Sequence, residues 1–261
     1  MCSQLPNSTS GTLELCIRTK NGSSTIGDDV YKNITVYVPS SIVPSVSFTV
    51  SDATGYSNTY GGYIQGVSKV KTVITGSGSY GSTIHSYYAK VDGRNYYGST
   101  TTSGLLTSSG TVTITAGVTD SRGREKTASK SITVLAYSQP KISSFEIKRC
   151  NADGTLNNSG SYLAIIFNST VTSLNSKNKA TFVAKYKKTT DTSYTSVTLT
   201  AFANKYSVTG GKYIFAADKA SSYDVQLTVT DAFGSHNRTG VGSSSKKLIS
   251  LLNKGLGIAF G

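Results

Sequence analysis

The 261-residue chain has no tryptophan, one methionine, two histidines and three cysteines, and each scarcity closes a route. Cys2, Cys16 and Cys150 are too few for a disulfide framework and match no metal-ligand spacing, so the fold must rest on packed cores. Cys2 and Cys16 can pair only if their strands are neighbours, and an odd total leaves at least one thiol free. Long apolar runs are scarce too. No stretch reaches the roughly 18 apolar residues of a membrane span, and the N-terminus shows no basic segment followed by an apolar core. Neither membrane insertion nor secretion can be argued from it.

Catalytic groups are equally thin. His85 and His236 have no Cys or Glu beside them at ligand spacing, and no nucleophile elbow, phosphate-binding glycine loop or glutamate pair occurs. The chain is therefore expected not to be an enzyme and to need no cofactor or metal. The segment from Asn151 to Asn157, with Asp153 before Gly154, has alternating oxygens but no bidentate glutamate after it. It reads as a turn joining two strands.

Charged residues make up only 15% of the chain, too few for a disordered sequence this polar, while Tyr appears 17 times among runs of Val, Ile and Thr. What charge there is leans one way. The net value is +13: residues 1–43 carry three basic and three acidic side chains, 44–137 eight and four, and 138–250 fourteen and six. Such a field favours anionic partners, above all phosphate-bearing wall polymers or acidic glycans. Nucleic acid is not expected, because the lysines are scattered singly and no recognition motif is present.

An internal repeat organises the rest. Leu13 to Gly22, Val112 to Gly123 and Val225 to Gly234 each run from an alternating strand into an Asn- or Asp-containing turn with glycine. A second alternating strand is expected after each, at Lys32–Val38, Lys130–Val134 and Lys246–Ile249. Asn21, Gly22, Asp120, Gly123, Asp231 and Gly234 are read as structural turn residues, with the carboxylates bonded to turn amides and Gly123 and Gly234 at positive φ. Two of the repeats lead into proline segments ending at Pro44 and Pro140, about 96 residues apart, which suits one immunoglobulin-like sandwich. Proline stiffens such joints.

The expected fold is all-β: tandem immunoglobulin-like β-sandwiches with almost no helix. Residues 1–43 would be the closing strands of a truncated domain whose opening strands lie upstream, 44–137 and 138–250 two sandwiches, and 251–261 the start of a following segment. Expected strands in the first sandwich are 45–50, 67–75, 83–91, 111–119 and 127–135. In the second they are 143–148, 162–169, 180–187, 196–203, 223–230 and 245–249.

Eight of the 17 tyrosines fall between Tyr56 and Tyr97. The doublets Tyr87-Tyr88 and Tyr96-Tyr97 around Arg94 suit sugar rings, whose CH groups stack on aromatic faces. These five residues are the carbohydrate-contact candidates. The plainer alternative is that the tyrosines fill strands and cover a sandwich edge. Six glycosylation triplets, beginning at Asn7, Asn21, Asn33, Asn157, Asn168 and Asn237, are what so much Asn, Ser and Thr produces by chance.

Several segments carry a family resemblance. Leu5 to Gly11, Ile26-Gly27 and Tyr37 to Pro44, then Arg149 to Gly154, Gly160 to Leu163 and Lys254 to Gly261, are similar to stretches of siphophage minor structural proteins from phages of Gram-positive bacteria. The resemblance spans most of the chain and transfers no catalytic residue. It implies a virion component of the tail, placed outside the cell on release. Implied partners are other tail or baseplate proteins, further copies of the chain in the virion, and a host cell-wall glycan. In that family the ending normally continues, which suggests a truncated or cleaved product. A bacterial surface adhesin built of the same repeats is the second reading.

Overall fold

A computed structural model describes residues 1–245, with the backbone of 249–251 and 258–260. The chain divides into two compact units, Met1–Ala136 and Tyr137–Gly261. The first begins with a hairpin of β1 (Ser10–Ile17) and β4 (Val30–Tyr37), in unbroken antiparallel register from Ser10 opposite Tyr37 to Ile17 opposite Val30. At its tip β2 (Lys20–Asn21) and β3 (Ser24–Thr25) turn through Gly22, whose φ of 65° a side chain would resist.

The sandwich of this unit follows, from β5 (Ser45–Asp52), a four-residue helix α1 (Ser57–Tyr60), β6 (Tyr63–Ile64), β7 (Lys69–Ser77) and β8 (Ile84–Val91). It continues with β9 (Arg94–Tyr97), β10 (Thr100–Leu105), β11 (Gly110–Asp120) and β12 (Glu125–Leu135). The strands form two sheets, ordered β10-β7-β5 and β6-β12-β11-β8-β9. Period-two alternation turns Val112, Ile114, Ala116 and Val118 of β11 inward, where they meet Phe48, Val70 and Ile74 of the facing sheet.

The second unit repeats the plan with β13 (Lys141–Cys150), β14 (Tyr162–Thr170), β15 (Thr181–Lys188), β16 (Thr195–Thr198), β17 (Ser207–Ala216), β18 (Tyr223–Thr230) and β19 (Ser235–Gly242). Its sheets are β13-β14-β17 and β16-β15-β18-β19. Leu163, Ile165 and Phe167 from one sheet interdigitate with Phe182, Val225 and Leu227 from the other. Beyond it β20 (Ile249–Leu251) pairs with β21 (Ile258–Phe260). The described residues form a pair of immunoglobulin-like sandwiches with one short α-helix among them.

Three expectations need correction. The strand closing the last hairpin is β19, not Lys246–Ile249. Residues 246–248 lie outside the described ones, and Ile249 belongs to the β20–β21 pair. Alternation is hidden in β19 because glycines hold its inward places: a Cβ on Gly242 would sit 2.6 Å from Leu163, and one on Gly240 3.0 Å from Ile147. The opposite sheet fills the space that side chains of β19 would take. Gly234 does not adopt positive φ, unlike Gly123 at 77°. Strands β6, β9, β10 and β17 were not expected at all, and of the predicted 196–203 segment only residues 196–198, within β16, are extended before a 3-10 turn at Thr200–Phe202.

Sheet ends leave backbone carbonyls unpaired, and in this fold arginines collect them. Buried Arg122, in the β11–β12 turn, donates to the carbonyls of Leu5 (2.8 Å), Ser79 (2.7 Å), Cys2 (3.0 Å) and Tyr80 (2.7 Å). Two residues on, Arg124 donates to the carbonyls of Pro39, Ile42 and Val38. Together they fasten the N-terminal hairpin to its sandwich. In the second unit Arg149 serves the far pole, reaching the carbonyls of Ser243, Ala217, Asp218 and Ser221. Replacing Arg122 with Ala strands these acceptors and the Asp120 carboxylate. The expected cost is about 3 kcal/mol, read as a lower urea midpoint for the first unit, with Arg122→Lys recovering only part of it.

Candidate carbohydrate-contact surface

The β8–β9 hairpin is made by a two-residue loop, Asp92-Gly93, with both φ angles positive at 50° and 78°. That is the geometry whose twist matches a right-twisted strand pair. The Asp92 carboxylate accepts from the amide and hydroxyl of Thr107, both at 2.6 Å, and from the Ser108 amide at 3.3 Å. Burial opposes its ionisation, but these hydrogen bonds outweigh burial and lower its pKa to about 2. The hairpin is thereby pinned to the loop that enters β11.

Register then decides which side chains face where. Tyr87, Ala89 and Val91 turn toward the core, and so does Tyr96, whose hydroxyl accepts the Gly104 amide at 2.9 Å. Tyr88 and Lys90 fall on the outer face of the five-stranded sheet, directly opposite Tyr97 and Asn95 of β9. On its other side β8 places Tyr88 opposite Gly117 and Lys90 opposite Thr115. Arg94 is exposed beside the turn, paired with Val91.

Gly117 explains the posture of Tyr88. A Cβ at that position would lie 2.2 Å from Cε1 of the tyrosine, so the ring crosses the sheet over bare backbone, burying the glycine beneath it. Its hydroxyl donates to Oε1 of Glu125 on β12 at 2.6 Å, which ties three strands together. That hydrogen bond, then burial and the nearby carboxylate charge, push the Tyr88 phenol up to about 12. Next to it Tyr97 is 78% exposed. The outer face thus offers one tethered ring and one open ring, flanked by Lys90, Asn95 and the hydroxyls of Thr115 and Ser129, which bond each other at 3.0 Å.

Of the five sequence candidates, Tyr88 and Tyr97 come together on this face, Tyr87 and Tyr96 serve the core, and Arg94 stands at the hairpin end. Lys90, Asn95, Gly117 and Glu125 escaped the sequence reading. The Asp92-Gly93 dipeptide is the signal that could have revealed them, because it fixes the register of β8 against β9. At the turns, Oδ1 of Asp120 accepts the amides of Arg122 (2.9 Å) and Arg124 (3.0 Å), and Oδ1 of Asp231 those of Phe233 (2.8 Å) and Gly234 (2.9 Å). The Asn151–Asn157 segment is closed internally: Asp153 accepts the Thr155 amide and Asn157 donates to Asn151. His236 accepts the Ile142 amide at 3.1 Å. Among the described residues no group of three His, Cys, Asp or Glu side chains is placed to hold a metal.

The family model described as "Siphovirus protein of unknown function (DUF859)" matches residues 1–260. The chain belongs to this siphovirus family. No curated protein matches it. Among solved structures, the siphovirus chain is similar to a Ca2+-stabilized adhesin that helps an Antarctic bacterium bind ice, at 13% identity and a TM-score of 0.41, covering 92% of this chain and 57% of that one. A 1.5-MDa bacterial ice-binding adhesin gives 14% identity and 0.41, covering 77% and 64%. The FN1-FN3 domains of a chicken protein, CNTN1, give 12% and 0.29, covering 89% and 78%. The chain spans less than two thirds of either adhesin structure.

The tethered ring makes a titration prediction. A folded pKa of about 12, above the ordinary phenol value near 10, means the folded state holds this proton more tightly. The associated stabilisation is whole below about pH 10 and is lost as pH rises through the folded pKa. Phenolate absorbance of the wild type minus that of Tyr88→Phe should show one late-ionising tyrosine, and Glu125→Gln should bring its transition back toward the ordinary value. A difference curve already at that value in the wild type would mean the ring is untethered.

Proposed function

We propose that this siphovirus protein is a non-enzymatic, tail-associated component of the virion, whose sandwiches act as spacers and contact a host cell-wall glycan through the outer face of the β8–β9 hairpin. The observation that carries the reading is the Tyr88–Tyr97 pair. It puts a ring 78% exposed beside a second ring bound in place over a glycine, on one outer face of the sheet. Sugar CH groups stack on such faces while Lys90, Asn95 and nearby hydroxyls answer the sugar's polar atoms. Each contact is weak alone, and many copies on one tail supply strength through high effective concentration.

A second reading rests on charge. Residues 138–250 carry fourteen basic against six acidic side chains, which suits an anionic wall polymer.

Binding of the intact chain to isolated cell walls, before and after their anionic polymers are stripped, separates the two. A glycan contact survives stripping and added salt, and falls about tenfold in Tyr97→Ala. Gly117→Ala, which displaces the Tyr88 ring, weakens it as well. Binding that disappears with the polymers and declines steeply with salt assigns contact to the basic second unit instead. No binding under any condition leaves the sandwiches as spacers alone.

A further inference from the structure

The two sandwiches carry one side-chain row at the same point of the same sheet. β16, β15, β18 and β19 follow the order of β9, β8, β11 and β12. Ala89 of β8 and Ala184 of β15 point inward, both 0% exposed, opposite Ala116 and Leu227. A lysine comes next on each strand, and alternation turns Lys90 and Lys185 outward. Lys90 lies between Asn95 and Thr115, with Ser129 one strand further. Lys185 lies between Ser196 and Gln226, with Thr239 one strand further. Each row is one ammonium, one amide and two hydroxyls.

What stands beside the rows differs. Tyr88 and Tyr97 adjoin the first, whereas Val183 and Thr198, opposite each other, hold those places beside the second. No ring pair therefore borders Lys185 on that side. On its other side Lys187 is already engaged. It pairs with Asp224 at 3.2 Å, donates to the Asp191 carbonyl at 2.7 Å and lies 5.4 Å from the centre of the Tyr194 ring. Asp224 is the one acidic residue in β15, β16, β18 and β19, and Lys187 occupies it. Among the described residues no ion pair or hydrogen bond engages the Lys185 side chain. Its charge is open to a ligand, in surroundings that supply neutral hydrogen-bonding groups and no free carboxylate.

We propose that the outer face of the β16-β15-β18-β19 sheet is an anion contact centred on Lys185, which takes the phosphate or carboxylate of a hydroxylated polymer while Ser196, Gln226 and Thr239 answer the hydroxyls beside it. Lysine is a compact point charge without the planar fork of arginine, so the site reads the charge and not the shape of the group that bears it. One exposed lysine holds such a group weakly, and repetition along the polymer and over many copies of the chain supplies the strength. The inference rests on the charge reading of the second unit and gives it a place. It does not depend on the Tyr88–Tyr97 contact.

The test titrates the intact chain at low salt with three probes: a glycerol-phosphate oligomer, polygalacturonate and neutral dextran. Amide resonances of β15, β16 and β18 around Lys185 should shift with one or both anionic probes, which tells phosphate from carboxylate, and stay still with dextran. Lys185→Gln should weaken that binding about fivefold and Lys185→Arg should retain it. Lys179→Ala, which removes an equal charge elsewhere on the unit, should change it less than about twofold. The unfolding midpoint should be the same in all three variants, because both lysines are exposed. Salt-sensitive binding that Lys185→Gln leaves intact, or weakens no more than Lys179→Ala does, overturns this site and keeps the charge reading. Shifts of equal size with dextran also overturn the site. No binding of either anionic probe overturns the charge reading and the site with it.

Discussion

Most strands among the described residues have one face apolar enough to bury, and a sheet of such strands is complete only with a second layer against that face. That constraint accounts for both sandwiches, in which Ile114 and Val118, or Leu227 and Val229, reach zero exposure only because another sheet lies against them. It also releases the outer faces from any packing duty. Thr, Ser, Lys and Tyr occupy them, and the proposed glycan contact uses that freedom. Among the described residues the β1–β4 hairpin is a two-stranded sheet, and such a pair alone is marginal in water.

The poles of a sandwich pose a different problem, since strands end there and their carbonyls lose partners. The β11–β12 and β18–β19 turns solve it from one template. Asp120 and Asp231 each accept two amides through Oδ1, and the residue two places on does the distinctive work. In the first unit that residue is Arg122, which binds four carbonyls. In the second it is Phe233, whose ring meets Tyr137 edge-on at 5.5 Å. The second carboxylate oxygen differs accordingly: Asn178 donates to Oδ2 of Asp231 at 2.9 Å, whereas Oδ2 of Asp120 has Arg122 at 4.0 Å and no hydrogen bond. One turn thus supports a polar fastening in one place and an aromatic one in the other.

Strands with ordinary alternation were legible in the sequence: β5, β7, β8, β11 and β12 in the first unit, and β13, β14, β15 and β18 in the second. Those that escaped lack a clean run of apolar alternation in the sequence. The inward positions of β10 are Thr101 and Ser103, which bond to Thr72 and to the Val70 amide within the core. β17 contains Gly210 and Gly211 at a register shift opposite Phe167, and a glycine pair reads as a turn. β9 is four residues long, too short for periodicity to speak. The tyrosine cluster was visible as composition, but its division between core and surface was not. That division depends on the register set by Asp92 and Gly93, and register inverts every side chain when it slips by one.

Gly117 bears most directly on whether the outer face is more than covering. Glycine inside a strand costs roughly 0.5–1 kcal/mol relative to alanine, a cost set against the tie that the Tyr88 ring makes across three strands. Here it allows the Tyr88 ring to cross from β8 over β11 and bond Glu125 on β12, which no residue with a Cβ would permit without displacing the ring. A ring fixed in that way loses little conformational freedom when a ligand stacks beside it. Tyr97 then works against an ordered neighbour instead of a second mobile side chain. The cost in strand propensity and the ordering of the ring fall at the same point on the sheet, the point the proposed glycan contact would use.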